Sequence, residues 1–161
     1  MFARVAAGSD VEGAREVVRL RALAGSQELL LSLWDFRADA EGPGQWYEVR
    51  SELLMADSGS PARAAGLYHF AGPMSPAHVQ AADAANDRRI QPAMAEHPGG
   101  VRTLVLWQPD AREQLVVVLA TSLDSLEEGQ RKIASMELLP GEDPALLPGP
   151  ARVEVYRVVS P

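Results

Sequence analysis

The chain has no cysteine. That excludes a disulfide framework, a catalytic thiolate and a cysteine-ligated metal. It has a single lysine, Lys132, and a single asparagine, Asn86, among 161 residues. Positive charge is therefore carried almost wholly by arginine. With a net charge of −7, the chain lacks the concentrated basic footprint that nucleic-acid binding needs. Scarce lysine beside abundant Ala, Gly and Pro fits a GC-rich codon usage, which lowers what any one arginine says about bidentate recognition. No run approaches the ~18 apolar residues of a membrane helix, so no membrane partner is expected. The opening Met1-Phe2-Ala3-Arg4-Val5 has neither the basic start nor the apolar run of a signal peptide, and the expected location is cytoplasmic. There is no P-loop, no dinucleotide glycine fingerprint and no Gly-x-Ser-x-Gly. The three histidines, His69, His78 and His97, fall at no helical metal-ligand spacing, so neither metal nor cofactor is expected.

What is present is an ordered pattern of elements. Residues 66–71 read as a strand, and Ser75-Pro76 opens a long helix. Two strands follow at 101–108 and 114–121, joined by the turn Pro109-Asp110-Ala111-Arg112. A second helix over 124–137 and a strand over 152–159 complete β-α-β-β-α-β, the split unit of ferredoxin-like folds. The strands carry apolar residues on both faces, so the sheet must be covered twice.

The first half reads as an eroded copy. A strand spans 2–7, and Ser9-Asp10-Val11-Glu12 forms a capping box. The spacing of Val11, Ala14, Val18 and Ala22 predicts a helix to about Ala24, stopped by Gly25. A strand over 29–36, a loop over 38–44 and an alternating strand over 46–55 follow. Residues 57–61 form the best linker. The expected organisation is thus 1–60 as an eroded ferredoxin-like half, β-α-β-β, and 61–161 as a complete one. Leu31-Ser32-Leu33-Trp34 matches Leu104-Val105-Leu106-Trp107, while a second register pairs Ala7 and Ser9 with Ala120 and Ser122. Both registers stay open. The fold class is α+β: two ferredoxin-like halves whose antiparallel sheets pack as an α/β barrel with helices outside. Exposed strand edges on the eroded half point to a homodimer.

Candidate site residues come from helical and strand phase. On the helix after Ser75, the stripe Val79, Ala82, Ile90, Ala93 and Met94 has Asn86 at its centre, Asp83 at its edge and His97 just past its end. Asp87, Arg88 and Arg89 fall off the stripe, towards solvent or the rim. An amide in an apolar stripe is costly unless it is hydrogen-bonded. Asn86 is therefore either a satisfied core amide or a ligand-facing group. His69 lies on a strand face opposite Tyr68 and Phe70, with a place inside the barrel. For His97, capping the helix end is the simplest role. Trp107 and Trp34 read as core; Trp46 shares a face with Glu48 and Arg50 and marks a contact surface. In 138–150, Leu-Leu-Pro-Gly occurs twice. Its prolines forbid regular structure and its leucines demand packing, so it is a structured connection or a rim over a pocket.

These features bring a family into view. The helix ending in Glu96-His97-Pro98-Gly99-Gly100, the strand Val101–Trp107, the strand 115–120 and the run Ser122-Leu123-Asp124-Ser125-Leu126-Glu127 resemble the dimeric α/β-barrel superfamily, within it the antibiotic-biosynthesis-monooxygenase-like group. The resemblance covers a little over half the chain. It implies two sheets paired into a barrel, as dimers or as tandem repeats. Some members oxidise aromatic polyketides without metal or flavin, and others degrade haem. Active members commonly use an Asn, a Trp and sometimes a His or Tyr; the helix 124–137 carries no Trp and no His. The resemblance implies a small-molecule-binding α/β-barrel protein, with cofactor-independent monooxygenation of an aromatic or polyketide-like compound as its chemistry. Asn86 and His69 would be the catalytic pair, with Trp107, Tyr68, Asp83 and His97 lining the ligand. The competing reading is a non-enzymatic tandem barrel that serves as a binding or assembly module.

Overall fold

A computed structural model describes residues 1–8, 13–36 and 42–159. Eight strands run β1 Phe2–Ala7, β2 Glu16–Ala22, β3 Glu28–Trp34, β4 Gln45–Leu54, β5 Ala64–Phe70, β6 Gly100–Gln108, β7 Glu113–Ala120 and β8 Arg152–Val159. Between β5 and β6 stand α1 Pro76–Ala85, a π turn Asn86–Ile90 and the short α2 Gln91–Met94; α3 Leu123–Ser135 links β7 towards β8. All neighbouring strands pair antiparallel, and they close into a barrel in the order β1-β3-β2-β8-β5-β7-β6-β4. Within that ring the early strands run β4-β1-β3-β2 and the late strands β8-β5-β7-β6.

The segment expected to be helical up to Ala24 contains β2 instead. Gly13 sits at φ +83°, a left-handed conformation that interrupts any helix there. Beyond it, Val17-Val18 are β-branched, and Leu and Arg alternate, so the period of two wins over the period of 3.6. Val18 and Leu20 pack into the core. The capping box at Ser9–Glu12 lies outside the described residues.

Strand alternation sorts the barrel into an inside and an outside. Inside, Leu20, Leu31, Leu33, Tyr47, Ala65, Leu67, Leu104, Leu106, Leu115, Val117 and Tyr156 form one buried cluster. An eight-stranded barrel is just wide enough for side chains to fill it, and here they do. Polar groups occupy the two ends. At one, Arg102 pairs with Glu16 (2.7 Å) and Glu52 (2.6 Å). At the other, His69 pairs with Glu154 (2.7 Å), beside Arg152. Outside, Leu126 of α3 seats against Ala64 and Ala120, whose chain neighbours Ala65 and Leu119 point inward.

The clean alternation expected along 46–55 breaks at a bulge between Val49 and Ser51. Tyr47 and Val49 face the core, whereas Leu53, beyond the bulge, faces out. A bulge adds one residue to one strand and flips the face of everything after it. Trp34 is buried as expected, yet it stands on the outer side of β3, with the Arg4 guanidinium 5.0 Å from its ring centre.

Candidate functional site

The barrel interior is full, so the space for a ligand is elsewhere. It lies between the outward face of β5, β6 and β7 and the layer formed by α1, the π turn, α2 and α3. The cavity there has a volume of about 630 Å³. This is the size range of sites that hold drug-sized molecules. Thr103, Val105, Gln114, Val116, Val118 and Tyr68 form its floor; Ala82, Ala85, Ile90, Met94, Leu126 and Ile133 form its walls.

Local sequence explains each wall. Ser75 caps α1, its hydroxyl accepting from the His78 N–H at 3.2 Å, with Pro76 at the first helical position. Ser122 does the same for α3, accepting from the Ser125 N–H at 3.1 Å. The two helical layers meet where α3 carries Gly129. A Cβ there would stand 3.1 Å from Met94 Cε and 3.2 Å from His97 Nε2, so glycine permits the close approach.

The roof is the connection from α3 to β8. Met136, Leu138, Leu146, Leu147 and Pro148 line the cavity from that side. Both sequence readings of this segment hold at once: it is an ordered connection, and it covers a pocket. It is fastened by the Glu142 carboxylate, which accepts from Arg89 Nε at 2.8 and 3.2 Å and from the Leu139 N–H at 2.8 Å. Asp143 caps the turn Pro144–Leu146, and the Ala151 N–H donates to the His69 carbonyl at 2.8 Å.

Of the six residues singled out from sequence, three line this cavity: Tyr68, Asn86 and His97. Tyr68 folds its ring back over Gly66, where an added Cβ would be 2.7 Å from the ring. Burial pushes its phenol above the usual value, so it is a hydrogen-bond donor at neutral pH. Asn86 is half-buried, and its side-chain amide donates only to its neighbour Asp87, at 3.3 Å. His97 is buried and donates from Nε2 to the Ser125 carbonyl at 2.9 Å, tying the end of α2 to α3. A carbonyl only accepts, so that nitrogen carries a proton.

The other three are elsewhere. His69 points into the barrel end, engaged by Glu154 and Arg152. Asp83 and Trp107 share a shallow outer groove with Val79, where Arg50 bonds Asp83 at 2.9 Å and stands 5.5 Å over the Trp107 ring. Trp107 is therefore not core, and it does not meet Asn86.

The helix wheel misplaced one residue that the cavity does contain, Arg89. Before the π turn the cavity-facing stripe is His78, Ala82 and Ala85; after it, Ile90, Met94 and His97. The turn absorbs one extra residue, closed by the Gln91 N–H on the Asn86 carbonyl. Such bulges are frequent at functional sites. Arg89, four residues after Ala85, continues the earlier stripe and turns inward, its side chain only 9 % exposed. Gln114 and Gln130 also line the cavity. Gln114 was within reach of sequence reasoning, because it alternates onto the face of Val116 and Val118.

Among the described residues, Arg89 is the only Arg, Lys, Asp or Glu in the lining, and Glu142 balances it. No group of three or more His, Cys, Asp or Glu side chains that could hold a metal ion occurs among the described residues. The site can thus enclose an apolar molecule and offer neutral or charge-compensated hydrogen bonds to its polar atoms.

No protein-family model matches the sequence, and no curated protein sequence matches it. Solved structures do. A ferredoxin-fold protein of Listeria monocytogenes, described as uncharacterised and related to antibiotic biosynthesis monooxygenases, aligns with TM-score 0.64 at 12 % identity, over 99 % of this chain and 94 % of its own. The heme-degrading enzyme LmHde of Listeria monocytogenes aligns with TM-score 0.64 at 11 % identity, over 98 % and 99 %. A structure described as a major regulator of staphylococcal pathogenesis aligns with TM-score 0.67 at 9 % identity, over 99 % and 100 %. The chain therefore has the fold of the ferredoxin-fold proteins related to the antibiotic biosynthesis monooxygenases.

Proposed function

We propose that this chain binds an aromatic or polyketide-like small molecule in the helix–sheet cavity and oxidises it with dioxygen, without a cofactor. The observation that supports this is the cavity itself: about 630 Å³, apolar, and roofed by a fastened strap. A protein built only for assembly has no use for such a space. In an oxidation of this class an activated ring CH₂ loses a proton, the carbanion is oxidised by O₂, and the products are a ring carbonyl and water. Asn86 and Tyr68 would hold the substrate oxygen on which negative charge develops; His69 has no part in it. Haem fits the lining less well, because its two carboxylates would meet one arginine that is already paired.

The two strand runs of identical order, β4-β1-β3-β2 and β8-β5-β7-β6, support two ferredoxin-like halves, 1–60 and 61–161. In the first of them β2 stands where the sequence predicts a helix. The topological equivalence pairs β3 with β7, which is neither of the two registers legible in sequence. On this reading the tandem halves close the barrel within one chain.

The competing, non-enzymatic reading draws support from the staphylococcal regulator's similar fold. A large apolar outer patch would favour it, but the large apolar side chains exposed among the described residues, Leu23, Phe36, Leu54, Leu138 and Val153, sit on separate elements. Oxygen uptake on adding anthrone to the purified chain tests the enzyme reading. Uptake above the protein-free rate, lost in Asn86→Ala, is expected. Tight anthrone binding with no uptake would leave a binding protein.

A further inference from the structure

We propose that Arg89 is the polar anchor of the cavity's ligand. Its Nη groups would hydrogen-bond an oxygen acceptor, carbonyl or carboxylate, on an otherwise apolar ring system. This rests on the cavity being the ligand site. A guanidinium has five N–H donors. Glu142 takes only the Nε–H, and neither Nη makes a hydrogen bond to any described residue. Yet the side chain is 9 % exposed and lines the cavity. The Nη groups are not sealed among protein atoms but border the open space of the cavity, where an oxygen acceptor can meet them.

The fork is also held in place. Glu142 is itself 8 % exposed and fixed by the Leu139 N–H. The carboxylate therefore locks the guanidinium plane from behind and leaves the other edge to the cavity. Glu142 cancels the charge of Arg89, so a neutral carbonyl can be received without stranding a cation. Arg89 continues the face of His78, Ala82 and Ala85, and the π turn Asn86–Ile90 brings Ile90, Met94 and His97 round to that same face. Pre-organisation of this kind lowers the ordering cost of binding.

Three naphthalenes of one shape separate the possibilities: 2-acetylnaphthalene with a neutral carbonyl, 2-naphthoate with a carboxylate, and 2-ethylnaphthalene with no oxygen. Each is titrated calorimetrically into the full chain. Wild type should bind at least one oxygenated probe roughly tenfold more tightly than 2-ethylnaphthalene, the scale of a hydrogen bond to a charged donor. Which of the two wins identifies the acceptor. Arg89→Met with Glu142→Leu removes both buried charges together, which such sites tolerate. It should abolish the preference, so that all three probes bind within about twofold of one another. Arg89→Lys keeps the pair with Glu142 but loses the fork, and should reduce the preference at least threefold; it decides the matter if the double variant does not fold. Equal binding of all three probes by wild type, or a preference that survives these changes, would overturn the anchor and leave the cavity reading intact. No binding of any probe by wild type would overturn the cavity reading and the anchor with it.

Discussion

Asn86 was the residue that helical phase marked most strongly, and the structure gives it a light structural role. It is half-buried, and the one hydrogen bond of its side chain is to the adjacent Asp87 at 3.3 Å. Asn86→Ala should therefore cost less than about 1 kcal/mol, below the ~1–3 kcal/mol of stranding a buried partner. Urea denaturation measures this, and a larger loss would make Asn86 a core amide instead. Tyr47 carries a second residue-scale consequence. Burial first, and then the charge of Glu113, push its phenol up to about 12, with Arg152 opposing. The folded form keeps this proton where the unfolded chain, near 10, has lost it. Stability from this source is whole below about pH 10 and falls as pH rises through about 12. In Tyr47→Phe the alkaline decline measured by denaturation should be shallower than in wild type. Tyr68 and Asn86 were legible from pattern because each sits on a face the chain's periodicity defines. Arg89 was not, because the apolar stripe read from sequence joins residues from both sides of the π turn, and its centre lies away from the His78, Ala82 and Ala85 face that Arg89 continues. His69 was rightly placed inside the barrel, but the barrel is not where the cavity is.

The strap and the helices act as elements held by few fastenings. Arg89→Met alone leaves Glu142 buried and unpaired, and should cost about 3–5 kcal/mol, far more than the double change with Glu142→Leu. Guanidinium unfolding of the single and double variants checks this; equal losses would mean that the pair does not hold the strap. Gly99→Ala tests the joint between α2 and β6. Gly99 has φ +75°, and a Cβ there would collide with the Ser125 hydroxyl. A loss of about 1–3 kcal/mol is expected in thermal melts. The second-half elements were readable because caps, prolines and apolar stripes agreed there: Ser75-Pro76 and Ser122 mark helix starts that the structure contains. The stretch before Ala24 was misread because Val18 and Ala22 satisfy both periods, and only the left-handed Gly13 and the β-branched pair decide between them.

Across the whole molecule, closure of the eight strands leaves no free edge among them. Open edges were the ground for expecting a homodimer, and that ground is gone. Unfolding that is coupled to dissociation depends on protein concentration. The melting temperature of this chain should not change over a hundredfold dilution, because the barrel needs no second copy. A rise with concentration would show that association stabilises it. Closure itself was only half legible. The double-sided apolar strands implied two layers, but bulges and the joins between β2 and β8 and between β4 and β6 depend on contacts far apart in sequence.

The central claim is that ligand binds between helices and sheet and not within the barrel. The five methionines are placed to report on it. Met55, Met74, Met94 and Met136 line the cavity, whereas Met1 packs against the barrel core. Methyl NMR of the methionine-labelled chain, titrated with 2-acetylnaphthalene, reads all five together. The four cavity methyls should shift in a saturable way while Met1 stays still. A shift of Met1 without the four, or no saturable shift at all, would contradict the account.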